Sequence, residues 1–313
     1  MFEFKKKPED FIVNEISNLK ISDKGSYAYF KLTKKDMTTE YAITNVSKTL
    51  HIDKKKIGYA GYKDRVGITS QLVSIQSGKK GYGFKTKDLE LEFVGFGNDQ
   101  IRIGDLHGNS FEVRVYSDQK PVKIKSIPNY FDKQRFSNNN VEIGKALITK
   151  DFKKAAELII ESNNEISFEG FNANDHINKI NKISRHLLLL YVHSFQSYLF
   201  NKMLSNSIKS KKYILINEDK MNVGEGIVEK IPLLGFTSKI SKEYSSLLEK
   251  ENVKLKDFIN RQIPFLTLEG TFRDSFVEIK DLEIIKEKES YLLKFSLPKG
   301  SYATIVIKSI FQC

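Results

Sequence analysis

Strand-like patterns occupy both ends of this sequence and flank a helical block in the middle. Runs of β-branched and aromatic residues predict strands in the first part of the chain and again from about residue 271. The predicted strands cover residues 25–33, 71–75, 90–95, 101–106, 111–116, 276–279, 291–295 and 304–307. A helical block between two strand-rich ends indicates an insertion into one β-rich domain, whose two pieces are the ends of the chain.

We therefore predict an α+β fold with two domains, which a chain of 313 residues is long enough to form. The first domain comprises residues 1–125 and 271–313 and has a mixed, mostly antiparallel sheet. The second comprises residues 126–270 and is largely helical.

Helical patterns are clearest at three places. Thr38 or Thr39 can cap a helix whose apolar residues lie on one face. Residues 152–159 place apolar side chains at the spacing of an amphipathic helix. Residues 185–204 form a longer predicted helix, and its continuous apolar stretch at 187–192 implies burial on most sides.

The charge balance favours a polyanionic partner. The chain has 51 Lys and Arg against 39 Asp and Glu, a formal net charge of +12. Such an excess favours nucleic acid ahead of an acidic membrane surface. Because lysine dominates and is spread along the chain, composition alone leaves a general lysine-rich bias as an alternative.

Several classes of site lack the residues they need. The only cysteine is Cys313, so no disulfide within the chain, thiolate metal cluster or CxxC pair can form. No metal-binding histidine spacing, nucleotide-binding glycine loop or nucleophile elbow occurs. The N-terminus has no apolar signal region, and no apolar run approaches the roughly 20 residues that span a bilayer. We expect a cytoplasmic protein without a metal or cofactor.

The most informative motif for chemistry runs from Gly58 to Gln71 and reads GYAGYKDRVGITSQ. Asp64 lies between Lys63 and Arg65, on a glycine-rich turn that leads into an apolar strand. Nearby cations favour the ionised form of a carboxylate, so we expect these two residues to hold Asp64 charged under a bound substrate. Glycines allow unusual backbone dihedrals and close approach of a ligand. Such an aspartate can act as a nucleophile or base; the alternative is a surface turn with a local ion pair.

Two further clusters combine aromatic and polar residues near predicted strands. Phe11 follows two acidic residues at the head of a short strand, where it can be either a core residue or a stacking surface. Asn109 and Phe111 lie in a turn followed by a strand. An exposed asparagine can hydrogen-bond a base edge and an aromatic ring can stack on the base, although a hairpin turn with a buried aromatic gives the same pattern.

The remaining two clusters lie at Pro128–Phe136 and Leu297–Thr304. The first mixes aromatic, amide and cationic side chains, a composition suited to a sugar–phosphate surface. The second places Tyr302 in a turn before the last predicted strand, where it can contact a ligand or close the sheet.

Together these motifs resemble the TruD family of tRNA pseudouridine synthases along nearly the whole chain. The resemblance implies a catalytic domain of pseudouridine-synthase type, split by a family-specific inserted domain. It also implies an isomerase that acts on tRNA, at uridine 13 in the D-arm, and implies no protein partner. The matching stretches are Pro8–Ile16, Ala60–Gln71, Gly108–Phe111, Pro128–Phe136, Arg185–Asn201 and Leu297–Ile307.

The resemblance also carries roles onto individual residues. Asp64 falls on the catalytic aspartate, and Phe11, Asn109 and Tyr302 fall on positions that contact the uridine. The family often has phenylalanine where this chain has Tyr302. Phe111 matches an active-site aromatic and Lys63 the adjacent cation, and we assign Lys63 or Arg65 to a phosphate contact.

Pseudouridine formation detaches uracil from the sugar, turns it and rejoins it through carbon. Because this is an isomerisation without a redox step, it needs no nicotinamide, metal or nucleotide. The target base must leave its stack, and we expect aromatic stacking to offset that cost. Asp64 would either attack the sugar or remove a sugar proton to give a glycal, and the sequence does not choose between these routes.

Two alternatives come from other classes of protein. A basic, non-catalytic RNA-binding protein would use the same aromatics only for base stacking. A tRNA methyltransferase would bind S-adenosylmethionine, for which the sequence has no glycine-rich strand–turn–helix.

Overall fold

The computed structural model describes residues 2–162, 166, 172, 175–209 and 230–311. Cys313, on which the sequence-based statement about disulfides depends, lies outside these ranges. The chain divides into two compact units, Met1–Ile127 with Val277–Cys313 and Pro128–Phe276. That the first is catalytic and the second an insertion stays a prediction at this point.

The first unit begins with a strand-rich segment and one helix, α1 (Thr39–Leu50). Its strands are β1 (Phe2–Phe4), β2 (Phe11–Ile16), β3 (Tyr27–Lys35), β4 (Ile57–Tyr59), β5 (Ile68–Gln76), β6 (Phe84–Lys85), β7 (Leu89–Gly97), β8 (Gly108–Ser117) and β9 (Ser126–Pro128).

The second unit is largely helical and has its own apolar core. Its helices are α2 (Asn140–Thr149), α3 (Phe152–Ser162), α4 (His176–Asn181), α5 (Arg185–Lys209) and α6 (Lys242–Lys250), and its short strands β10 (Lys230–Leu233) and β11 (Thr271–Asp274) pair antiparallel.

The C-terminal segment returns to the first unit. It contains β12 (Phe276–Glu278), β13 (Lys280–Lys286), β14 (Tyr291–Pro298) and α7 (Ala303–Ile310). The strands β9 and β12, which carry the chain out of and back into this unit, pair with each other.

One large sheet organises the first unit. Its strand order is β13-β14-β8-β2-β5-β3-β7-β6, with β1 also paired to β8 and β4 to β5. The pair β2–β5 is parallel, and the other pairs described in this sheet are antiparallel. The mixed, mostly antiparallel sheet that the sequence predicts is therefore confirmed.

The neighbouring strands β2 and β8 carry a row of apolar pairs on one face of the sheet, and this row ends in a polar pair. Phe11 lies opposite Val113 and Val13 opposite Phe111, and the next pair on this face is Glu15 with Asn109. Opposite residues project to the same face, and alternate residues repeat that face. All four apolar members are buried in one core cluster, which also contains the buried residues of α7. The polar pair thus lies at the end of this core.

The predicted start of α1 is confirmed. Thr38 is the N-cap, and its side-chain oxygen accepts a hydrogen bond from the backbone N–H of Tyr41 at 3.2 Å. Ala42, Ile43 and Val46 are buried, as the predicted apolar face requires. This capping bond satisfies one of the backbone N–H groups that lack a partner inside the helix.

Two predicted strands are wrong. Residues 304–307 belong to helix α7, although Thr-Ile-Val-Ile favours a strand locally. The buried residues Ala303, Val306, Ile307 and Ile310 follow helical spacing, so packing against the sheet overrides local propensity.

Residues 101–106 form a turn rather than a strand. Gly104 has a φ of 98°, and the backbone N–H of Asp105 bonds to the carbonyl of Arg102 at 3.0 Å. Ile103 is exposed, so the alternation of residues 101–103 does not mark a half-buried strand.

Within the described ranges, none of the helices combines the length and the apolar character that crossing a membrane requires.

Candidate active site

Asp64 lies on the loop between β4 and β5. Hydrogen bonds to side chains of the first unit hold the backbone of this loop in place. The backbone N–H of Lys63 donates to Thr39 Oγ1 at 2.9 Å, and Gln71 Nε2 donates to the carbonyl of Gly61 at 3.1 Å. The Asp64 side chain is 44% exposed. The loop therefore presents a reachable carboxylate from a backbone that is held on both sides.

Gly67 fixes the end of this loop against β2. It has a φ of 118°, and a Cβ at this position would lie 2.4 Å from the carbonyl oxygen of Phe11. Gly67 and Asp36 also exchange two hydrogen bonds, at 3.0 and 3.1 Å. The motif has two other glycines. Gly58 packs closely against Ile101, whereas Gly61 has neither a left-handed φ nor close neighbours. The expectation of unusual dihedrals holds only for Gly67.

Gly67→Ala is expected to lower the free energy of unfolding by about 2–3 kcal/mol, because alanine is strained at this φ and its Cβ would meet the Phe11 carbonyl. Urea unfolding would measure the loss. The matched control is Gly61→Ala, where nothing lies within 4 Å, and we expect no loss there. Equal stability of the two variants would contradict the role assigned to Gly67.

The cation that pairs with Asp64 is Lys5, not either of its sequence neighbours. Lys5 Nζ lies 3.1 Å from Asp64 Oδ2 and 3.8 Å from the centroid of the Phe11 ring. The expectation that Lys63 and Arg65 pair with the carboxylate and hold it charged is corrected, because the Lys63 ammonium contacts Glu15 and Asn109 and Arg65 is exposed without a described contact to Asp64. Lys5 was missed because 59 residues separate the partners.

Lys63 belongs to a buried polar cluster beside the loop. Its Nζ lies 3.0 Å from Glu15 Oε2 and donates to Asn109 Oδ1 at 2.5 Å. The Lys63 and Glu15 side chains are only 6% and 1% exposed. Glu15 Oε1 also accepts from the backbone N–H of Leu72 at 3.3 Å. Because Lys63 is buried and paired, its ammonium is not available for the predicted phosphate contact. Arg65 is exposed and can reach a phosphate.

Lys34 is a second buried cation that sequence analysis missed. Its Nζ donates to the carbonyl oxygens of Asp64 and Met37, both at 2.6 Å, and the residue is 1% exposed. Burial lowers the pKa of the Lys34 ammonium to about 8; Asp64 and Asp36 oppose this shift and Lys63 adds to it. Lys34 therefore anchors the backbone of Asp64 itself.

The lowered pKa of Lys34 predicts a pH dependence of stability. Between pH 8 and 10.5 the unfolded chain keeps a proton that the folded protein has released, so raising the pH favours the folded state. Relative to Lys34→Met, the wild-type unfolding free energy is expected to rise by about 2 kcal/mol from about pH 7 to about pH 9.5. Urea unfolding at both pH values would measure the difference. Parallel changes in the two proteins would contradict the shift.

The aromatic residues differ in their accessibility. Phe11 and Phe111 are 2% and 7% exposed, and their ring centroids lie 6.3 Å apart. Phe111 also stacks on Phe295 at 5.2 Å. Both rings belong to the core, and the Lys5 ammonium lies over Phe11. Their role as stacking surfaces stays a prediction.

Tyr302 is half-buried and lies at the N-cap position of α7, after the turn that follows β14. That strand ends opposite the start of β8, with Leu297 facing Asn109. The topology thus brings Tyr302 to the end of the sheet where Asn109 lies. It precedes a helix, however, not the strand that the sequence predicts.

The segment Pro128–Phe136 in the second unit makes internal contacts. Asn129 is buried and donates to the carbonyl of Asp274, while Phe131 exchanges two backbone hydrogen bonds with the side chain of Asn201. Asn129 and Phe131 therefore hold the unit together, whereas Lys133 and Gln134 are exposed, and a sugar–phosphate surface on this segment stays a prediction. Among the described residues, no group of three or more His, Cys, Asp or Glu is arranged to hold a metal.

A family model described as tRNA pseudouridine synthase D (TruD) matches residues 2–173, 167–230 and 217–310 of this chain. The chain belongs to the TruD family. It is 31% identical to the probable tRNA pseudouridine synthase D of Nanoarchaeum equitans, with 98% of both chains covered. It is 29% identical to the tRNA pseudouridine synthase D of Aquifex aeolicus, with 98% of this chain and 97% of that one covered.

The fold of this TruD protein also matches a solved structure. The crystal structure of the putative tRNA pseudouridine synthase D of Methanosarcina mazei superposes with a TM-score of 0.70 at 24% identity, over 99% of this chain and 93% of that one. The predicted family, the predicted fold and the prediction of an isomerase are confirmed.

Proposed function

We propose that this TruD protein converts uridine 13 in the D-arm of tRNA to pseudouridine, with Asp64 as the catalytic carboxylate, and that it acts in the cytoplasm. The observation that carries the proposal is the arrangement around Asp64. Its carboxylate is exposed and paired with Lys5, and its backbone carbonyl is held by the buried Lys34. The adjacent Lys63 contacts Asn109, which lies at the polar end of the core.

The proposed roles follow from what each group can reach. The carboxylate of Asp64 acts on the ribose, and Asn109 hydrogen-bonds the uracil. Tyr302 stacks on the base, while Phe11 and Phe111 support the site from the core side. The base leaves C1′ as its N1–C1′ bond breaks, turns, and bonds to C1′ through C5; C5 then loses a proton and N1 gains one. The net formula does not change, so the reaction requires no redox partner.

Two routes remain for the carboxylate: attack at C1′, or removal of the C2′ proton to give a glycal. A substrate with deuterium at C2′ separates them. Only the glycal route breaks the C2′–D bond, so it would show slower conversion or loss of the label to water.

Release of tritium from tRNA labelled at C5 of uridine tests catalysis directly, because rejoining through C5 expels that hydrogen. We expect release from a transcript with uridine 13 and none from a transcript with cytidine at that position. The same protein should restore a carbodiimide-dependent primer-extension stop at position 13 in tRNA from cells that lack it. Tritium release without a stop at position 13 would contradict uridine 13 as the modified nucleotide. Binding of tRNA without tritium release would contradict the catalytic role of the protein.

A further inference from the structure

The cluster of Glu15, Lys63 and Asn109 determines how the asparagine amide is oriented. Glu15 and Asn109 face each other in the register of β2 and β8, on the same side of the sheet. Lys63 reaches both from the Asp64 loop, at 3.0 Å from Glu15 Oε2 and 2.5 Å from Asn109 Oδ1. The contact with Glu15 is an ion pair rather than an aligned hydrogen bond, so the directional bond of the ammonium is the one to Asn109.

An ammonium group has donors and no acceptor. The two ends of an asparagine amide are otherwise hard to distinguish, but here the atom that faces Lys63 must be the oxygen. The amide nitrogen of Asn109 then points away from the ammonium. Among the described residues no hydrogen bond occupies this nitrogen, and Asn109 is half-buried, so part of it is accessible. The group presented to a ligand is therefore a pure donor.

A pure donor distinguishes the two pyrimidines at one position. Uracil has a carbonyl oxygen at C4, whereas cytosine has an amino group there, which is itself a donor. The Asn109 nitrogen can donate to O4 of uracil but would oppose the amino group of cytosine. The O2 oxygen is common to both bases, so a contact there would not discriminate.

We propose that Glu15 and Lys63 are positioning residues that hold the Asn109 amide with its nitrogen toward O4, and so select uridine over cytidine at the modified position. This inference rests on the proposed function, because it requires the target base to reach Asn109. Glu15 supplies the counter-charge that keeps the ammonium in place, with a side chain that is 1% exposed.

The test measures binding of two tRNA transcripts, with uridine or cytidine at the modified position, to proteins that carry Asp64→Asn so that uridine is not converted. We expect the parent to prefer uridine by roughly tenfold or more. Adding Asn109→Asp replaces the donor by an acceptor, and we expect the preference to fall below one. Any difference in the cost of unpairing the two bases belongs to the RNA, so it cancels when the ratios of two proteins are compared.

Glu15→Gln tests the positioning role. Its amide nitrogen must face either Lys63 or the backbone N–H of Leu72, both of which are donors, so the cluster loses one partner. We expect the uridine preference to fall at least threefold. Because the buried Lys63 ammonium then lacks its counter-charge, we also expect a lower melting temperature, and binding is compared at a temperature at which both proteins are folded. The matched control is Glu9→Gln, which makes the same change at an exposed pair with Lys35 and should leave the preference unchanged.

An unchanged preference in both Asn109→Asp and Glu15→Gln would overturn the inference, as would equal binding of the two transcripts by the parent. If Glu15→Gln does not fold, Asn109→Asp alone decides. Tritium release by wild-type protein is measured in parallel. Release together with equal binding of the two transcripts refutes only the selection by Asn109, whereas no release refutes the proposed function.

Discussion

Asp64→Asn is expected to abolish pseudouridine formation, with turnover reduced by a factor on the order of 10⁴ or more. The amide keeps the size of the carboxylate but can neither attack the sugar nor accept its proton. The affinity for tRNA should stay within severalfold, because phosphate contacts by cations dominate such binding. Tritium release under single-turnover conditions and filter binding of the same transcript would measure the two quantities.

Asp23→Asn is the matched control for this variant. It makes the same change at an exposed loop residue between β2 and β3 and should leave both quantities unchanged. Normal pseudouridine yield from Asp64→Asn would remove Asp64 from the mechanism. A parallel collapse of RNA binding would instead assign the residue to recognition.

Lys63→Met is expected to lower the free energy of unfolding by about 3–5 kcal/mol, because it leaves the carboxylate of Glu15 buried without its cation. The double variant Lys63→Met/Glu15→Met removes both charges and should be more stable than Lys63→Met alone, although Leu72 then loses its acceptor. Urea unfolding of the four proteins in this cycle would measure the coupling.

Lys85→Met provides the comparison at the surface. Lys85 pairs with Glu90 at 3.0 Å but is 72% exposed, so we expect a loss below about 1 kcal/mol. Equal losses for Lys63→Met and Lys85→Met would show that the cluster beside Asp64 contributes no more than a surface ion pair.

The sequence predicts well where local pattern and packing agree. The Thr38 cap and the strand at residues 111–116, which is part of β8, appear in the structure as predicted. Helix α7 was misassigned because its β-branched residues favour a strand locally, while its contacts with the sheet require a helix. Such contacts are not encoded in a short window of sequence.

Two buried charges of the site have a recognisable position in the sequence. Lys34 is in phase with Phe30 and Leu32 along β3, and Glu15 is in phase with Phe11 and Val13 along β2. A charged residue at an inward position of an alternating strand needs a buried partner. That phase marks both residues as unusual, but it does not name the partner. The pairing of Lys5 with Asp64 leaves no comparable sequence pattern.

The return of the chain through β13, β14 and α7 has a consequence for synthesis. Arg114 on β8 bonds to Glu287 between β13 and β14, a separation of 173 residues. During translation, one edge of β8 therefore stays unpaired and its apolar face stays uncovered until the entire second unit has been translated and β14 and α7 follow. Because unpaired strand edges and exposed apolar surface promote aggregation, the nascent N-terminal segment is expected to need chaperone protection over this interval.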